Sequence, residues 1–129
     1  MYNESIINSI PNFMLFFLGR IILGAFFITH GVNQLSHLKK FITYAESKNV
    51  WHAKIVVPIA ASLLIVSGLS IILWLPFLWI ATTFLIPFLI IVNIQMHAFW
   101  KMSGGERDRE FLFFMYNCAL IGALLIFIN

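Results

Sequence analysis

LGRIILGAFFITHGVNQL, residues Leu18 to Leu35, is apolar enough to enter a bilayer, yet it carries Arg20, His30, Asn33 and Gln34. A central arginine costs roughly 2.5 to 3.5 kcal/mol on insertion scales, so such residues face a bundle interior, a water-filled cavity or the interface. Each ionisable group in this stretch is therefore a candidate site residue. Gly19, Gly24 and Gly31 lie on the same helix and let another backbone approach, which is how helices pack where lipid supplies no hydrophobic contrast.

The rest of the chain has the same character. Of its 129 residues, 61% are hydrophobic and 10% charged, and its mean hydropathy is +0.95. Apolar runs long enough to cross a bilayer, about 20 residues rising about 1.5 Å each, recur four times. We read residues 1–129 as a single transmembrane domain of the all-α membrane class. It is an antiparallel bundle of four transmembrane helices, at about 12–35, 53–74, 77–100 and 110–129.

Between the first two spans, Ser36 to His52 is too charged to cross. Leu38, Phe41, Ile42 and Ala45 follow helical spacing there, which predicts a short interfacial helix with Trp51 as an anchor. The uncharged turn at Leu75 and Pro76 makes helices two and three antiparallel neighbours. Pro87 should kink helix three, with the Thr83 hydroxyl as a partner for the freed carbonyl, and Asp108 is a plausible cap for helix four. The N-terminus lacks the basic region and cleavage site of a secretory signal, so the first helix is expected to be retained.

The net charge of +3 is small, and its placement orients the protein rather than indicating nucleic acid. Lys39, Lys40, Lys48, Lys54, Lys101, Arg107 and Arg109 fall in the two long loops, which the positive-inside rule assigns to the cytoplasm. Both termini are then periplasmic, in a bacterial inner membrane. Cys118 is the sole cysteine, which excludes an internal disulfide, a dithiol redox pair and a cysteine-only iron–sulfur site.

Polar residues recur at one depth. His30 and Gln34 on helix one, Asn93 and His97 on helix three, and Asn117 about 10 Å into helix four can share a layer, with Trp100 and the helix-four aromatics as walls. As interhelical hydrogen bonds these groups contribute about 0.6 kcal/mol each. As a pocket they suit a quinone, a lipid headgroup or a sulfur oxyanion, because imidazole donates to carbonyls and relays protons near neutral pH. Bis-histidine haem is disfavoured, since two histidines are a weak signal. No metal site is expected, because no intramembrane carboxylate or thiolate joins the pair. Arg20 lies toward the opposite side, where it can reach lipid phosphate, an anionic substrate or the carboxylate of Asn129.

Leu18-Gly19-Arg20 followed by His30-Gly31 resembles the first helix of the DoxX family of small four-helix bacterial membrane proteins. His97-Ala98-Phe99-Trp100 resembles that family's HxFW ending of helix three, and Phe114 to Leu125 resembles its fourth helix. Three positions depart from the pattern: Gln34 and Tyr116 stand where relatives often carry lysine, and Pro58 to Ser62 where they often carry an early glutamate.

The resemblance implies a membrane component of sulfur or oxidative-stress redox chemistry. The family includes subunits of thiosulfate:quinone oxidoreductase and a mycobacterial partner of superoxide dismutase and a thiosulfate sulfurtransferase, and it is distantly similar to a eukaryotic cargo receptor. The expectation is a redox-complex subunit in the lipid bilayer with quinone as candidate cofactor. Redox-protein subunits or further copies of the chain would be its partners. The alternatives are a non-enzymatic protein that binds or transports a lipid or hydrophobic metabolite, and an assembly scaffold.

Overall fold

The computed structural model describes residues 4–74, 76 and 78–128, and all regular structure among them is helical. The elements are α1 (Glu4–Ser36), α2 (Leu38–Ser47), α3 (Ala53–Leu73), α4 (Leu78–Met96), a 3-10 turn (Phe99–Lys101) and α5 (Gly104–Ile128). Four of these helices are long and apolar enough to cross a membrane.

Packing begins with α1 against α3. A Cβ on Gly31 would lie 2.6 Å from the Ala61 carbonyl oxygen, and one on Gly68 would lie 2.5 Å from that of Gly24. The two backbones touch at sites set two helical turns apart on each helix. Gly19 meets nothing within 4 Å, so of the three glycines singled out on α1 only Gly24 and Gly31 serve the contact. We expect Gly68→Ala to destabilise the protein by about 1–3 kcal/mol, because backbone rather than a side-chain tip must yield. Gly19→Ala should be neutral. Thermal unfolding in detergent reads both.

Phe27, Leu64, Ile71, Leu85, Leu89 and Leu124 form the buried core, with contributions from all four long helices. A second cluster docks α2 onto the bundle: Ala45 packs with Ala53 and Val57, against Leu38, Phe41, Ile42 and Met96. Its apolar face thus meets protein, while Trp51 stays 82% exposed. Gln95 of α4 donates to the carbonyls of Lys48 (3.3 Å) and Asn49 (3.2 Å), supplying partners just beyond the end of α2.

The helix ends differ from those expected. α1 begins at Glu4 rather than near Asn12 and runs through Pro11. α4 stops at Met96, not Trp100. The Phe99 N–H donates to the His97 carbonyl at 2.8 Å across Ala98 (φ −74°, ψ 66°), an inverse γ-turn that diverts the chain. α5 starts at Gly104, well before Glu110, so Asp108 is an ordinary helical residue beside Arg107 and caps nothing. The Thr83 hydroxyl bonds the Trp79 carbonyl at 2.6 Å; the carbonyl that Pro87 leaves without a helical donor is Thr83's own. Leu75, in the expected tight turn, lies outside the described residues.

Candidate functional site

A cavity of ≈ 420 Å³ lies among α1, α3, α4 and α5. Leu64, Phe88 and Leu89 line its back, Phe26, Phe27, His30 and Gln34 one side, and Phe113, Tyr116, Asn117, Ala119 and Leu120 the other. Its volume falls within the range of small-molecule sites. The polar groups are uncharged or imidazole, and no lysine or arginine is among the lining residues.

Helical spacing puts His30 and Gln34 one turn apart on the cavity side of α1. The His30 ring lies parallel to Phe26, with centroids 6.0 Å apart. Gln34 Oε1 is shielded from solvent and has no hydrogen-bond partner. Asn117 is held from behind, its Nδ2 donating to Asn93 Oδ1 at 2.9 Å, and Asn93 in turn donates to the Phe114 carbonyl (3.2 Å) and Cys118 Sγ (3.6 Å).

The residues expected to share one layer therefore divide. His30, Gln34 and Asn117 line the cavity; Asn93 is buried behind it as the tie between α4 and α5. His97 stands outside the lining, its ring 5.4 Å from that of Phe113, so His30 and His97 do not converge on one space. Trp100 is half exposed and packs edge-on against Phe99 and Phe114.

His97 instead meets a carboxylate, contrary to the expectation that none joins the histidines. Glu110 is fully buried, and its Oε2 accepts from His97 Nδ1 at 2.7 Å. The Tyr44 hydroxyl donates to Oε1 at 2.8 Å. Lys48 Nζ lies 3.7 Å from Glu110 and 3.3 Å from Glu106. Burial, and then the hydrogen bond to Glu110, push the Tyr44 phenol above its ordinary range, so it remains a neutral donor. This node joins α2, the γ-turn and α5. Capping-box spacing in Ser103-Gly104-Gly105-Glu106 was the available signal that α5 starts early enough to bury Glu110. Among the described residues, no group of three or more His, Cys, Asp or Glu converges for a metal ion.

Arg20 belongs to neither site. Its Nε and Nη2 donate to the carbonyls of Ile71 (3.0 Å) and Ile72 (2.6 Å), and its guanidinium lies 4.4 Å from the centroid of the Trp74 ring. It thus satisfies the orphan carbonyls ending α3, where a cation is also favoured by the helix dipole. The pairing expected with Asn129 falls outside the described residues.

Four membrane-long helices around an internal cavity define a multi-pass helical membrane protein. The DoxX family model matches residues 15–98, and the chain belongs to the DoxX family. The match ends at the γ-turn, before Glu110 and Asn117. No significant match to the chain is found among curated proteins or among solved structures.

Proposed function

We propose that the cavity holds the head group of a lipid-soluble quinone and that the protein is a membrane subunit in quinone-linked redox chemistry. The observation that carries this reading is an aromatic-walled cavity whose polar lining residues, His30, Gln34, Tyr116 and Asn117, offer hydrogen bonds and include no lysine or arginine. A sulfur oxyanion calls for compensating positive charge, and Arg20, the basic residue of the first span, is engaged by α3. A neutral ring dicarbonyl needs only donors. In this reading the His30 imidazole donates to one carbonyl and exchanges a proton with it, while the Asn117 and Gln34 amides orient the ring. Reduction to the quinol takes two electrons and two protons. The electrons come from a partner redox subunit, since Cys118 is the chain's only thiol.

Native mass spectrometry from lipid nanodiscs tests this. A stoichiometric quinone supports the proposal. Phospholipid or another metabolite alone, with no redox subunit, overturns it in favour of a lipid-binding or transport protein.

The same reading places both polar loops in the cytoplasm of a bacterial cell and both termini in the periplasm. It is supported by the contacts of Lys48 with Glu106 and of Gln95 with the Lys48 and Asn49 carbonyls, which gather α2 and the α4–α5 loop at one end of the bundle. A C-terminal alkaline phosphatase fusion should be active and a C-terminal green fluorescent protein fusion dark; the reverse pattern refutes the orientation.

A further inference from the structure

We propose that the seam between α1 and α5 is a lateral portal, and that the ligand of the cavity is an amphiphile whose single long apolar chain leaves through it into the bilayer. The proposal rests on the quinone reading only for the identity of the head group.

Three pairs of long helices pack against one another: α1 with α3, α3 with α4, and α4 with α5. The fourth side is different, because α1 and α5 form no comparable interface among the described residues. Contacts tie this side near its two ends, and in the core Phe27 of α1 and Leu124 of α5 belong to one buried cluster. At one end, the Phe16 ring stacks on Phe127 at 5.7 Å, with Trp74 edge-on to both. At the other, α2 follows α1 and Tyr44 reaches Glu110 of α5. The cavity lies between these pins.

Exposure grades outward across it. On the floor, Phe27 is 0% and Leu64 2% exposed, whereas Phe26 at 47% and Tyr116 at 61% form the rim. Ala119, also exposed, is the smallest side chain lining the cavity. These residues fall within helices long and apolar enough to cross a membrane, so in a bilayer the mouth faces lipid rather than water.

A chain that stays in hydrocarbon has no apolar surface to transfer when its head group docks. A head group alone must leave water and cross the aromatic rim without that membrane anchoring. The arrangement therefore selects a small hydrogen-bonding head carried on a lipid chain. Ala119 and Phe26 set the width of the exit.

The test uses the full chain in phosphatidylcholine nanodiscs and three probes: a decyl-tailed benzoquinone, the same ring without its tail, and a decyl-tailed phenol. Affinities are corrected for partition into the bilayer. In Ala119→Trp we expect the tailed quinone to lose at least tenfold more affinity than the bare ring does. Adding Phe26→Ala to Ala119→Trp should restore binding, which a merely misfolded variant would not do, and an unchanged melting temperature of Ala119→Trp confirms its fold. Tailed and tail-less rings bound alike, with no effect of Ala119→Trp, would overturn the portal and leave the quinone reading standing. Binding of the tailed phenol but of neither quinone, lost in Ala119→Trp, would keep the portal and remove the quinone. Equal loss of tailed and bare rings would also overturn the portal, because the tryptophan would then have filled the head-group space.

Discussion

Glu110→Ala is expected to lower the stability of the detergent-solubilised protein by about 3–5 kcal/mol, the usual consequence of removing one partner from a buried charged network. The carboxylate has no solvent exposure, and it leaves behind the Tyr44 hydroxyl, His97 Nδ1 and a Lys48 side chain that is only 10% exposed. Each loses its shared acceptor. Glu110→Gln should cost less, about 1–3 kcal/mol, since the amide oxygen still accepts from Tyr44 while His97 must change tautomer to face the amide nitrogen. Replacing the set together, with Tyr44→Phe, His97→Phe and Glu110→Leu, should recover part of the loss, because a buried network is destabilising chiefly when half satisfied. Denaturant titration followed by tryptophan fluorescence decides the matter. If Glu110→Ala unfolds together with wild type, the node is not what holds α2 to α5.

The second large effect has two opposite signs in one variant. Gln34 Oε1 is buried beside the cavity without a partner, and an unsatisfied acceptor of this kind costs roughly 1–3 kcal/mol. Gln34→Leu has similar volume and no polar atom, so the unliganded protein should be stabilised by about 1 kcal/mol. The same change should weaken binding of a tailed quinone about tenfold, the equivalent of about 1.4 kcal/mol. A residue kept as interhelical glue would behave otherwise: Gln34→Leu would then destabilise the fold and leave affinity unchanged. Melting temperature and equilibrium binding, measured on one preparation, separate the two roles.

The spans and the α2 helix were legible because hydropathy and helical periodicity are local properties, and four long apolar runs leave a chain of this length few alternatives. Helix ends were less so. An apolar residue reads alike in a helix and in a γ-turn, so nothing in His97-Ala98-Phe99 announced that α4 stops at Met96. A glutamate at the edge of an apolar run reads as the membrane boundary. Only the tertiary fold reveals that Tyr44, 66 residues away, makes Glu110 a buried acceptor instead. Arg20 shows the same limit: its cost in hydrocarbon was evident, but the carbonyls that relieve it lie 51 and 52 residues along the chain. Of the candidate residues, His30, Gln34 and Asn117 share the cavity lining, but depth along each helix grouped them equally with Asn93 and His97, which lie outside it. Which of the polar groups face one another depends on helix rotation, which spacing along a single helix does not determine.

The order α1, α3, α4, α5 is a row of rods whose outer pair forms no comparable interface among the described residues. Its stiffness is uneven: the α1–α3 joint is backbone against backbone at Gly24, Gly31 and Gly68, and the α4–α5 joint is bolted by Asn93 and Asn117. Close-packed joints deform little. The most compliant coordinate is therefore the distance between the two outer rods, and the sideways pressure of the surrounding lipid bears directly on it. In the portal reading, the width of the cavity then answers in part to the membrane itself.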